Sequence, residues 1–105
     1  MQVVHHPRLA WDTARLFVAA ADDAELFAWL AHQVGQILGP AYERELRDTG
    51  SRVSYPTDDR SPIEAGLWRV RLEDLLRARP EVVEPLRSLT VTASGLLRDR
   101  QAVVA

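Results

Sequence analysis

The sequence predicts a mainly α-helical single domain, a compact bundle of about four helices with one long loop. Three observations point there. Apolar residues recur at three- and four-residue intervals over most of the chain. Proline, glycine and acidic capping signals break that pattern into helix-length segments. With 105 residues, 47% apolar and 27% charged, the composition is that of one folded domain and not of a disordered chain. The alternative is an α+β arrangement in which the chain ends supply a small strand pair.

Arg8 to Ala21 reads as the first helix. Leu9, Leu16, Phe17 and Ala20 share one side, Trp11 and Ala14 lie at its edge, and Asp12 and Arg15 form an i,i+3 pair toward solvent. Asp22 and Asp23 interrupt the pattern. Asp22 with Glu25 reads as a capping box that opens a second helix, Asp23 to Leu38. With almost no loop between them, the two segments are either separate helices or one bent helix. Leu26, Phe27, Leu30, Val34, Ile37 and Leu38 make the second stripe, Trp29 and Ala31 widen it, and His32 sits at its border. Gly39-Pro40 predicts a break or sharp kink, because proline removes a backbone donor and crowds the preceding turn. An unbroken helix from 23 to 48 would run ~39 Å, against a radius of gyration of ~13 Å for a domain of this size. Ala41, Tyr42 and Leu46 continue the apolar face, Glu43 and Arg47 pair at i,i+4, and Gly50 is the expected stop.

Thr49 to Arg60, TGSRVSYPTDDR, has the turn chemistry of a loop. Arg52 and Tyr55 are its members with binding potential, set against a plain linker role. Ser61 to Arg79 carries the clearest helix signals. Ser61 is the expected N-cap, Pro62 the first helical position, and Glu64 completes a capping box. Ile63, Leu67, Trp68, Leu72, Leu75 and Leu76 are expected on one stripe, and Arg69, Glu73 and Arg77 form a ladder on the polar side. Pro80 ends the helix. Beyond it, Val82, Leu86, Leu89, Ala93, Leu96 and Val103 keep a helical period. The competing strand reading takes Leu89 to Ser94 as alternating, with Val91-Thr92 and 101–104 as a hairpin around Gly95, joined by Val3-Val4. The helical period covers more residues and is preferred.

The chemistry the sequence excludes is broad. A net charge of −2 provides no global attraction for nucleic acid or an anionic membrane. The absence of cysteine removes disulfides, thiol catalysis and cysteine-ligated zinc, and fits a reducing, cytoplasmic setting. No apolar run reaches the ~18–20 residues of a membrane span, and the first residues lack the pattern of a signal peptide. All thirteen basic side chains are arginine, which reads as a high-GC bacterial coding bias ahead of a selection for phosphate recognition. His5 and His6 are adjacent and diverge on any regular element, and His32 has no acidic residue at ligand spacing, so no metal site is expected. The five glycines are too scattered for a phosphate loop, so no cofactor is expected either. The carboxylate pairs Asp22-Asp23, Asp58-Asp59 and Glu73-Asp74 are neighbours that do not face each other on a helix. No catalytic residue is assigned.

The segment LEDLLRARPEVVEPLRSL, residues 72–89, resembles small all-helical bacterial proteins of unassigned function, some of them like the effector-associated adaptor modules of signalling and defence systems. In these a leucine-rich helix runs through a proline-glutamate turn into a second amphipathic helix. The resemblance covers under a fifth of the chain and implies a protein–protein interaction role. The reading is therefore a non-enzymatic interaction or adaptor module whose partner is another protein or itself as a homo-oligomer. Trp11, Trp29 and Trp68 are the expected contacts, placed at stripe edges and of a type enriched at binding hot spots. Two further readings stand beside it. One is a ligand-binding or catalytic pocket between helices using His32, Tyr42 and the 49–60 loop. The other is nucleic-acid binding through Arg69, Arg71, Arg77, Arg79 and Arg87, although a long loop in place of a tight turn and the interspersed carboxylates argue against a helix-turn-helix.

Overall fold

Asp23 decides where the second helix begins. In the computed structural model, which describes residues 6–54 and 60–104, α1 spans His6–Ala20 and α2 spans Ala24–Leu38. Asp23 lies between them in an extended conformation, and its Oδ1 accepts from the Leu26 amide at 3.1 Å. The two helices are separate, and the cap is Asp23 in place of the expected Asp22. One residue makes the difference because Asp23, the last residue before α2, has the extended backbone of a cap and turns its carboxylate onto the Leu26 amide.

A single residue then turns the chain back. Gly39 adopts φ 112°, a conformation that side-chain-bearing residues rarely adopt, and Pro40 is the first residue of α3, Pro40–Val53. The break predicted at Gly39-Pro40 is thus a complete reversal. Gly35 faces Glu43 and Gly50 faces Phe27, so α2 and α3 run antiparallel at close range. Gly50 does not stop α3. The helix continues three residues past it into the segment expected to be loop, because the missing Cβ is what admits the Phe27 ring.

After the turn come α4, Ser61–Ala78, a 3-10 turn over Pro80–Val82, and α5, Val83–Val104. Among the described residues there are five α-helices and no strand. The expected four become five because 23–48 divides at Gly39. Leu89 to Ser94 lies inside α5, where Leu86, Leu89, Thr90 and Ala93 are buried at helical spacing. Val3-Val4 lies outside the described residues. Pro85 is tolerated at the third position of α5, where its missing N–H has no intrahelical acceptor to lose.

α1 packs most extensively on α4, with Phe17 edge-on to Trp68 at a centroid distance of 5.0 Å and 85° between rings. Leu30, Leu46, Leu72, Leu76 and Leu86 complete the centre of the core. Thr13 and Thr90 meet inside it at 2.8 Å. Since the Thr90 hydroxyl donates to the Leu86 carbonyl at 2.8 Å, Thr13 is the donor to Thr90, and α1 is tied to α5 with both hydroxyl protons placed.

Two stripes differ from expectation. In α5 it is Leu97 that packs on the core, while Leu96 is 39% exposed. In α4 the inward face is Glu64, Ala65, Trp68, Leu72, Leu75 and Leu76, while Ile63 and Leu67 point outward at 55% and 50% exposure, beside Val70 at 50%.

Two of the α-helical glycines, Gly50 and Gly66, should respond in opposite ways to alanine. A Cβ at Gly50 would fall 2.5 Å from Phe27 Cε2, so Gly50→Ala should destabilise by about 1–3 kcal/mol. A Cβ at Gly66 meets nothing within 4 Å, so Gly66→Ala should stabilise by up to about 1 kcal/mol. Urea unfolding of the two variants in dilute solution measures both.

Candidate functional site

The densest polar arrangement lies where α3 meets α4. Its centre is the Glu64 carboxylate, with a side chain only 3% exposed. Arg52 Nη2 donates to Glu64 Oε1 at 2.8 Å, and Arg60 Nη2 lies 3.8 Å from Oε2. Arg52 Nη2 also reaches Thr49 Oγ1 at 3.3 Å, and the Trp68 indole N–H donates to the same oxygen at 2.8 Å. The Thr49 hydroxyl donates back to the Glu45 carbonyl at 2.9 Å. On the outer face of the Trp68 ring stands Arg71, 4.8 Å from the ring centroid and 3.7 Å from Glu45. The hydrogen bond that Arg52 donates to Glu64, ahead of the opposing cost of burial, holds the Arg52 guanidinium more firmly protonated than usual.

The geometry follows from local structure. Glu64 and Trp68 are one turn apart on the inward face of α4, and Thr49 and Arg52 are one turn apart on α3. Glu64 is therefore no capping-box residue. Its amide donates to the Arg60 carbonyl at 2.9 Å, Arg60 occupies the cap position, and the carboxylate turns inward to the arginines. Arg52, read as a loop residue with phosphate-contact potential, is helical and committed to Glu64. Chemically the cluster is closed. Both Glu64 oxygens face guanidinium groups and the Thr49 oxygen is surrounded by donors, which leaves no poised base or metal ligand. It is a clasp between two helices.

A second polar contact joins the chain's far end to its beginning. Arg100 on α5 donates through Nε to Asp23 Oδ2 and through Nη2 to Asp23 Oδ1 at 3.0 Å, and also reaches Glu25 at 3.4 Å. The Arg100 hydrogen bond first, then the Leu26 amide, holds the Asp23 carboxyl below its ordinary value. Arg79, just past α4, donates to the Leu38 carbonyl at 3.0 Å and satisfies the end of α2.

The residues singled out in the sequence do not converge. Trp68 is fully buried and so offers no partner surface in this fold, whereas Trp11 and Trp29 are 39% and 36% exposed on different helices. Trp11 carries the Arg15 guanidinium 5.8 Å from its ring centroid. His32 is exposed on α2 and Tyr42 is half-buried against the core. A groove of about 550 Å³ opens between α1 and α5, lined by Leu16, Val91 and Leu97 with Arg15 and Arg98 at its edge, and takes in neither His32 nor Tyr42. His5, Tyr55, Asp58 and Asp59 lie outside the described residues. Each arginine proposed for nucleic acid is occupied: Arg69 by Glu73 at 3.2 Å, Arg71 by Glu45, Arg77 by Asp74, Arg79 by Leu38 and Arg87 by Glu84 at 3.2 Å. No group of three potential metal ligands occurs among the described residues, and no described helix is long and apolar enough to cross a membrane.

What the sequence reading missed is the outward face of α4. Ile63, Leu67 and Val70 form a line at i, i+4 and i+7, half exposed, on the side away from Trp68 and Leu72. Gly66 flanks the line with open space beyond its Cα. The spacing was available in the sequence. It was hidden because Ile63 and Leu67 stand next to Glu64 and Trp68, and the apolar members of both faces were merged into one stripe. Comparison with protein-family models, curated proteins and solved structures returns no match.

Two predictions test the polar contacts. Arg52→Met leaves the Glu64 carboxylate short of its best donor and should cost about 2 kcal/mol, whereas Arg52→Lys should recover part of the loss; urea unfolding measures both. Asp23 has a folded-state pKa below its ordinary 3.8. Its stabilising contribution is therefore present above roughly pH 4 and disappears as pH falls through the lower, folded-state value. Asp23→Asn should lower stability at neutral pH and flatten the acid side of the stability profile, read from urea midpoints across roughly pH 2 to 6.

Proposed function

We propose that the protein is a non-enzymatic protein–protein interaction module and that α4 presents its contact surface. The observation that supports this is the Ile63–Leu67–Val70 line, three branched aliphatics half exposed on one face of a helix whose other face is already in the core. A helix apolar on two sides is normally covered on both. Trp11 and Trp29, each exposed at more than a third of its surface, are proposed as secondary contacts. The resemblance over residues 72–89 adds the narrower proposal of an adaptor in a bacterial signalling or defence system, acting in the cytoplasm. The closed Glu64 cluster and the occupied arginines give the catalytic and nucleic-acid readings less support.

Site-specific photocross-linking tests the reading. A benzophenone amino acid replacing Leu67 should give covalent adducts in cells expressing the protein, and the same group replacing the exposed Ser88 on α5 should give few. The loss of adducts at position 67, or equal adducts at both positions, counts against α4 as the contact surface.

A further inference from the structure

We propose that the occupant of the α4 face is a second copy of this chain, the two helices pairing antiparallel about a two-fold axis between Gly66 and Leu67. The inference deepens the interaction reading above and rests on it. A two-fold contact requires a patch that is complementary to itself. In antiparallel pairing about this midpoint, Ile63 of each copy opposes Val70 of the other, and the two Leu67 side chains meet at the centre. The three apolar positions thus map onto one another, and Asp74 is the next position along the same face. Gly66 flanks that seam, and the open space beyond its Cα lets the helix backbones approach.

Charge selects the antiparallel direction. The register brings Asp74, whose side chain is 68% exposed near the C-terminal end of α4, beside Arg60 at the N-terminal end of the partner helix. Arg60 already lies 3.8 Å from Glu64, and a carboxylate from the partner helix would add to that attraction. Parallel pairing would instead set Asp74 against Asp74 and Arg77 against Arg77, like charges in contact. Size sets the strength. Three half-exposed aliphatics and their flanking turns cover a few hundred Å² per copy, below the roughly 800 Å² per partner of a standard interface. The dimer should therefore form at tens to hundreds of micromolar, on the order of a weak, reversible complex.

Sedimentation equilibrium from about 5 μM to about 1 mM reads the association. The mass should rise from monomer to dimer across this range. Leu67→Gln, a change at a half-exposed position, should raise the dissociation constant at least tenfold with the far-ultraviolet circular dichroism unchanged. The native absence of cysteine allows a register test. Under mild oxidation, Ile63→Cys mixed with Val70→Cys should form a mixed disulfide readily. Ile63→Cys alone should cross-link poorly, because in this register its two copies lie about 10 Å apart along the axis, beyond disulfide reach. A monomer mass at every concentration overturns the self-pairing, and so does Ile63→Cys cross-linking as well alone as in the mixture. A monomer that still forms adducts from position 67 with another protein overturns self-pairing and leaves the interaction reading standing. A monomer with no adducts removes both.

Discussion

The fold depends on burying one carboxylate where α3 meets α4. Glu64 is 2% exposed, and an isolated charge in such a place would be far too costly. Arg52 and Arg60 supply the compensation, one from α3 and one from the start of α4. The consequences reach outward through direct contacts. Arg52 is placed by its pairing to Glu64, Thr49 lies within reach of Arg52, the Trp68 indole donates to Thr49, and the Trp68 ring packs edge-on against Phe17 of α1. Three helices are thus oriented by a path that begins at one side chain. The Thr49 oxygen lies at the junction of that path, where it meets both Arg52 and the indole and donates to Glu45. Deleting Arg52 or Thr49 leaves the buried Glu64 carboxylate or the buried Trp68 indole short of a partner, which makes the cluster sensitive out of proportion to its size.

The α2–α3 hairpin imposes a second constraint of a different kind. A one-residue turn leaves no slack, so the two helices must lie close along their whole length. Glycine is placed where that closeness is greatest, at Gly35 against Glu43 and at Gly50 against Phe27. Arg79 then donates to the last carbonyl of α2 from the far end of α4, and Arg100 grips the residue that caps the start of α2. Both ends of α2 are held by arginines from later in the chain. These cationic contacts differ from those in a nucleic-acid-binding surface, where the guanidinium groups remain available to phosphate.

The helical class, the break at Gly39-Pro40 and the end of α4 before Pro80 were legible in the sequence because each has a local cause in periodicity or in proline chemistry. Asp23 was nearly legible, and the error of one residue arose because adjacent aspartates satisfy the same pattern. The clasp was not legible. Ser61, Pro62 and Glu64 fit a capping box, and only the approach of Arg52, twelve residues away, turns Glu64 inward. Thr49 and Gly50 looked like loop because glycine and threonine favour turns, yet tertiary packing against Phe27 and Trp68 keeps them helical. Trp68 carried the core and contact readings together, and its full burial leaves only the first. The outward line of α4 lost its signal to the neighbouring stripe, since one residue along a helix is only about 100° around it.

That adjacency links the clasp to the surface it leaves uncovered. α4 carries two apolar faces, and the apolar residues alone leave room for competition over which turns inward. Trp68, Leu72, Leu75 and Leu76 outweigh Ile63, Leu67 and Val70 in buried area, but both sets are large enough to be attracted to a core. Glu64 shares its face with the first set. Turning that face inward places its carboxylate against Arg52, and the two guanidinium groups offset the cost of burying it. Turning the other face inward would draw Glu64 off the arginines and take the Trp68 indole away from Thr49, so that neither polar group keeps its present partner. The polar contacts therefore discriminate between two orientations that hydrophobicity separates only by degree. With Glu64 held inward, Ile63 one position before it and Leu67 one position before Trp68 are necessarily held outward. The exposed line on α4 is held outward because the Glu64 carboxylate behind it is buried and faces guanidinium groups at both oxygens.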